Sequence, residues 1–305
     1  CLTCRENFAL QAELLPAEYL VRNRNLSQVT GRSRSDSSGV SVNIARDAQE
    51  VFPIRVTPAA VLGALELRDD GRLRTYTCAS GACFYDGDQF PDDARGNVFV
   101  PESVGNLVGR LQLTSGIRPK ATRFYPAEQE FLASTDERFR PVNARVGPDG
   151  ALYIADMYHG IIEHVIFMVP WISNQIRDRQ LDTGNDMGRI YRVVREDRPL
   201  DRRRPNLSRA STADLVRHLS HATGWWRLTS QRLLAERRDP AATPLLKELA
   251  LGGQSALGRL HALWTLDGLD ALDADTKFAA LGDADEHVRA AAIRLSERGL
   301  DPKQQ

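Results

Sequence analysis

Five residues that could carry chemistry fall within one short stretch of this chain: Arg140, Asn143, Asp156, Tyr158 and His159. An imidazole titrates near neutrality, so His159 is the local candidate to accept or deliver a proton; the alternative is a loop or surface histidine. Asp156 ends an apolar run. It either accepts hydrogen bonds from the turn that follows or binds an ion or substrate, and Tyr158 shares that choice. Arg140 and Asn143 flank Pro141, where a guanidinium could contact an anionic cofactor or substrate group or pair with a loop carboxylate. Arg140, Asn143, Asp156 and Tyr158 are therefore the candidate cofactor-binding residues. No catalytic base is assigned.

The elements that must position them are legible around the turn Gly147–Gly150. Pro148 presets φ, and Asp149-Gly150 is a strong hairpin dipeptide. Ala151–Asp156 (ALYIAD) then reads as a short strand, MYHG breaks it, and Ile161–Phe167 resumes a strand-like composition, with His164 facing a neighbouring blade. Turn, strand, polar break, strand is the pattern of a β-propeller blade. Strand pairs are also expected at Gly96–Glu102 and Asn106–Leu113, joined through Ser103-Val104-Gly105, and about the turn Asp69-Asp70-Gly71. Short strands are expected at Arg123–Tyr125 and Gly188–Val194. The region from about residue 40 to 195 is predicted to be antiparallel β. Arg140 and His159 are predicted to meet at one end of a blade, which requires the segment at Arg140 to run antiparallel to ALYIAD. On that reading, Arg140→Ala would weaken affinity for an anionic cofactor more than thermal stability.

After the charged, Pro-containing linker 196–210 the apolar period changes from 2 to 3.6. Ser211 reads as a helix cap. Helical spacing follows at Trp225–Arg237, Pro244–Ala250, Ala256–Leu266, Thr276–Leu281 and Glu286–Arg298. Arg227, Arg259 and Arg289 recur 32 and 30 residues apart near helix starts. Trp225, Trp226 and Trp264 read as core of this stack.

Composition narrows the function classes. The 305 residues hold 40 basic and 40 acidic side chains, so no net field favours nucleic acid or an anionic membrane as partner. No apolar run reaches the roughly 18 residues of a transmembrane segment. Cys1 and Cys4 have CxxC spacing, but Arg5 stands where a c-type haem site needs His, so no haem is expected in this chain. Cys78 and Cys83 could be free, form a disulfide, or join Cys1 and Cys4 on zinc. Asp86 and Asp88 have oxygen-rich spacing but lack the ligand count of an EF-hand loop. His218 and His221 have no partner at ligand spacing. No G-x-S-x-G, P-loop or HExxH motif is present.

GPDGALYIADMYHGIIEH resembles the blade motif of soluble quinoprotein glucose/sorbosone dehydrogenases, and most closely that of related bacterial membrane-bound dehydrogenases of planctomycete and verrucomicrobial type. Leu14–Leu26, Phe84–Arg110, Glu130–Asn143, Met187–Val194 and the HEAT-like segment Gly282–Glu297 match the same pattern. The resemblance implies a partial six-bladed β-propeller of about three blades at 1–195, the linker at 196–210, and an α-helical HEAT-like repeat domain at 211–305. It also implies that earlier blades, which carry the family's catalytic His and Asp, and a cytochrome c domain lie outside this chain. The activity implied is oxidation of a sugar hydroxyl or aldehyde, the substrate being a sugar or a polysaccharide-derived sugar. Electrons would pass to a cytochrome c domain or other acceptor, in the periplasm or cell envelope. Pyrroloquinoline quinone and calcium are the cofactors implied, the quinone's three carboxylates calling for Arg, Lys and backbone amides. The alternative is a non-catalytic binding or scaffold module for carbohydrate or protein partners.

Overall fold

The computed structural model describes residues 50–57, 67–114, 120–162, 168, 170–201 and 204–297. The motifs at Leu14–Leu26, the cysteines Cys1 and Cys4, and His164 lie outside these residues. The chain divides into two compact units. One comprises Arg24–Gly147 and Ala151–Leu200; the other is built on Asp201–Gln305.

The first unit holds two open antiparallel sheets. The five-stranded sheet has β1 (Cys83–Phe84), β2 (Val98–Glu102), β3 (Leu107–Leu113) and β4 (Ala121–Arg123) in that order, with β5 (Leu132–Ala133) also paired to β3. The three-stranded sheet is a meander of β6 (Pro141–Val146), β7 (Leu152–Asp156) and β8 (Arg189–Val193). The two sheets share a core. Phe99 of the first sheet, with Tyr85 and Phe90 from the loop after β1, packs with Ala144, Leu152 and Ile154 of the second. The ring of Phe99 meets Phe131 edge-on at 4.6 Å, and Tyr85 stacks on Phe90 at 4.7 Å.

The expected propeller is corrected here. Neither sheet closes, and none of the described strands forms a ring of blades. The strand expected at Ile161–Phe167 falls largely outside the described residues, and beyond it the chain forms helix α1 (Pro170–Arg179) before β8. Proline suits the first helical position, and Arg177 and Arg179 in the last turn suit the negative end of the helix dipole. Turn and alternation signals specify hairpins, which many β architectures share; they carry no information on closure.

Gly81 fixes where β6 sits. Its carbonyl accepts from Ala144 N at 2.8 Å. Its φ is +43°, and an added Cβ would lie 2.5 Å from Asn143 Cα and Val142 O. Both obstacles are backbone. Gly81→Ala is therefore expected to destabilise the sheet unit by about 2–4 kcal/mol, read as a lower urea midpoint. A variant within about 0.5 kcal/mol of the parent would show that this close approach is not a constraint.

The second unit is helical: α2 (Thr212–His218), α3 (Gly224–Arg237), α4 (Ala242–Gly252), α5 (Ala256–Gly268), α6 (Ala274–Leu281) and α7 (Glu286–Ser296). They enclose one cluster that includes Leu215, Leu219, Leu234, Leu246, Leu260, Leu263 and Val288. Trp226 is buried in it, with Trp225 and Trp264 packed alongside. Ser211 caps α2 by accepting from Asp214 N, and Asp285 caps α7 through His287 N and Val288 N.

The HEAT-like repeat domain is also corrected: the described helices close on a single core and form no clear HEAT repeat. What recurs every 30 or so residues is a local device. Arg227 Nη1 donates to the carbonyls of His221 and Ala222, Arg259 Nη1 to Gly253 and Gln254, and Arg289 Nη1 to Asp283 and Ala284. Each guanidinium folds back over its own helix start, so the spacing reports how these helices begin.

Below Arg227 lies a buried polar chain. His261, 4% exposed, shares a hydrogen bond between Nδ1 and Gln231 Oε1 at 2.6 Å and accepts from Arg227 Nε at Nε2, 3.4 Å away. That pattern requires the neutral ring, with its proton on Nδ1. Burial, and then the Arg227 cation, push the imidazole down to about 3.

Candidate functional site

Antiparallel pairing of β6 with β7 sets Pro141 opposite Asp156, with a bulge between Pro141 and Asn143. The pairing returns Arg140 to the end of β7. Arg140 N and Tyr158 N both donate to Asp156 Oδ1, each at 2.8 Å, and Met157 N donates to Arg140 O at 3.0 Å. An aspartate receiving the N–H two residues on is a standard turn device, and it holds Tyr158 at φ +53°, a conformation costly for a non-glycine residue. Asp156 is 3% exposed, and its second oxygen, Oδ2, is buried without a hydrogen-bond partner.

Arg140 is 8% exposed, and its guanidinium is directed at backbone. Nη1 donates to Ser103 O at 2.7 Å, Nε to His159 O at 2.9 Å and Nη2 to Gly160 O at 2.9 Å. Burial, and then the nearby Arg55 cation, lower this group to about 10. The structure thus gathers Arg140, Asp156, Tyr158 and His159 at one end of the three-stranded sheet. His159 enters the arrangement through its carbonyl. Asn143 does not join it: its side chain lies against Gly81.

Two residues missed in the sequence complete this end. Arg189 on β8 is directly opposite Asp156, and its guanidinium lies 3.7 Å from the Tyr158 ring centre. Tyr191, two residues along on the same face, meets Phe139 edge-on at 5.9 Å. Burial and the Asp156 carboxylate push the Tyr191 phenol up. Period-2 alternation in GRIYRVV puts Arg189 and Tyr191 on one face; only the register shows that the face is that of Asp156.

Glu102 at the end of β2 was also missed. It is fully buried and accepts from Thr77 N at 3.0 Å, Cys78 N at 2.9 Å and Val104 N at 3.1 Å. Burial pushes it up to about 7 against the opposing pull of those amides and that of Gly105. Cys78 and Cys83 are free thiols, and burial raises Cys83 to about 12. Asp88 pairs with Arg198 at 3.6 Å. His218 and His221 pack on the Trp226 ring. Among the described residues no cluster of three or more His, Cys, Asp or Glu could hold a metal ion. No helix among them is long and apolar enough to cross a membrane.

One family model, described as a domain of unknown function (DUF7133), matches residues 3–197, which include the whole of this end of the sheet. No curated protein and no solved structure matches the chain.

Proposed function

The chain belongs to the DUF7133 family, and on that premise we propose that it binds a sugar at the Asp156 end of its three-stranded sheet, as part of a protein that oxidises sugars. The observation that carries the reading is Asp156 Oδ2. A buried carboxylate oxygen without a donor is costly, and a ligand hydroxyl would offset that cost. Tyr158 and Tyr191 supply aromatic surface beside it, and Arg189 supplies donors. Tyr158 and Arg189 are half-buried, so movement of these two side chains gives access.

The dehydrogenase half of the proposal rests on the resemblance of GPDGALYIADMYHGIIEH to quinoprotein sugar dehydrogenases. In that reading the hydroxyl or aldehyde of the sugar is oxidised by pyrroloquinoline quinone with calcium. The electrons leave to a cytochrome c domain or another acceptor, in the periplasm or cell envelope. The quinone is not placed at Arg140, Asn143, Asp156 and Tyr158. Three of the five N–H groups of Arg140 already serve carbonyls, Asn143 is turned to Gly81, and Asp156 would repel the quinone's carboxylates. That same observation favours the second reading, a carbohydrate-binding module without redox chemistry of its own.

Asp156→Asn keeps an oxygen for the two backbone donors and removes the second acceptor. It is expected to weaken sugar binding about tenfold, the loss of one hydrogen bond to a charged group. Calorimetric titration across a panel of aldoses and polyols reads this, and unchanged affinity in the variant overturns the placement. Reconstituting the full-length protein, with the upstream region that the resemblance implies, with quinone and calcium and following dye reduction on the same panel separates the readings. Binding with reduction supports the dehydrogenase, binding without it the module, and neither overturns both.

A further inference from the structure

A second group of side chains, independent of the sugar reading, carries an excess of positive charge. Glu137, just before β6, accepts from two guanidiniums at a single oxygen: Arg55 Nη2 and Arg179 Nη1 both reach Oε1. Arg179, the last residue of α1, also donates from Nη2 to Gln175 Oε1 at 2.9 Å, while its Nε is buried without a hydrogen-bond partner. Arg55 makes no other hydrogen bond among the described residues, and its side chain is only 16% exposed. Arg140 stands near enough that its charge and that of Arg55 interact, and its own partners are carbonyls.

Two guanidiniums therefore contact one carboxylate oxygen, with the Arg140 charge nearby. The other acids nearby are engaged elsewhere: Asp156 Oδ1 accepts from Arg140 N and Tyr158 N. Asp136 is exposed and turned to Arg138 N at 2.9 Å. Glu102 is enclosed by backbone amides. Burial lowers Arg55; Glu137 opposes that, and the Arg179 cation adds to it. Like charges held together in a half-buried place are costly unless an anion joins them, and Arg forks match carboxylate and phosphate oxygens.

We propose that Arg55 and Arg179, backed by the field of Arg140, form a binding site for a small oxyanion, a carboxylate or phosphate group, with Glu137 as the resident group the ligand displaces or shares. Arg55 and Arg179 would supply the donors; Arg140 contributes charge without releasing its carbonyls.

The test uses the whole chain and calorimetric titration with inorganic phosphate and, separately, with acetate, at constant ionic strength in chloride. Saturable binding of either is expected; phosphate alone identifies a phosphate site, and binding of both a general oxyanion site. Glu137→Gln removes the competing carboxylate and should tighten phosphate about tenfold. Arg179→Gln should weaken it by a similar factor. If Arg179→Gln does not fold, Arg179→Lys keeps the charge but loses the fork and should still weaken binding. The proposal fails if phosphate and acetate do no more than chloride, or if Glu137→Gln binds phosphate no more tightly than the parent.

Discussion

Replacing Arg140 with alanine should destabilise the sheet unit by about 3–5 kcal/mol. The substitution leaves the carbonyls of Ser103, His159 and Gly160 without their donor in a place that is 8% exposed. Hydrogen bonds from a charged donor are worth about 1.5–3 kcal/mol each, and the three act as a unit, so their sum is an upper limit. Arg140→Lys should lose most of the same stability, because one ammonium cannot reach three carbonyls set around a planar fork. Urea unfolding followed by circular dichroism measures both. A cost below about 1 kcal/mol for Arg140→Ala would mean that the carbonyls find other donors. The expected order of effects reverses the one drawn from the hairpin geometry and the family resemblance, in which this arginine served a ligand more than the fold.

The second large effect is a pH dependence of the helical unit. His261 is held neutral, with a folded value of about 3, while in the unfolded chain it titrates at an ordinary imidazole value. Between those limits the unfolded state binds the extra proton. The contribution to stability is therefore complete above about pH 6.5 and is lost as pH falls toward 3. At about 1.4 kcal/mol per pH unit the full swing is on the order of 5 kcal/mol. The helical signal should melt at progressively lower temperature from pH 6.5 downward. His261→Gln offers an amide to Gln231 and Arg227 but cannot take up the proton, so its melting temperature should depend much less on pH in that window. Equal slopes for parent and variant would remove His261 as the cause.

What was legible in the chain was local. The strands at Val98–Glu102 and Leu107–Leu113, the turn between them, and ALYIAD all follow from alternation and turn residues. Ser211 and the helical spacing after residue 210 foretold α2 to α7 to within a few residues. Helix α1 was missed because the whole region from about residue 40 to 195 was read as antiparallel β. The meeting of Arg140 with Asp156 was readable because one hairpin brings them together. The rest of the site was not, because its contacts join distant segments: Arg140 to Ser103 across 37 residues, Arg55 to Glu137 across 82. Such pairs follow from which sheet packs on which, and a run of residues does not encode that in its spacing. Arg140 shows the limit most plainly. Its type and position drew attention to an anion, yet burial beside three carbonyls gives it another task.

Strand β8 has a bearing on how this protein behaves in the test tube. It is the outer strand of its sheet, and Ile190 is 72% and Tyr191 38% exposed along it. Among the described residues nothing pairs with its outer side. An edge with apolar side chains is a template on which another chain can add a strand, the first step toward aggregation. Arg189 and Arg192 break up this stretch with like charges, acting as gatekeepers against self-association. Their protection is electrostatic and weakens as salt rises. Solubility, and not only stability, should therefore guide the choice of buffer and ionic strength when the chain is handled at high concentration.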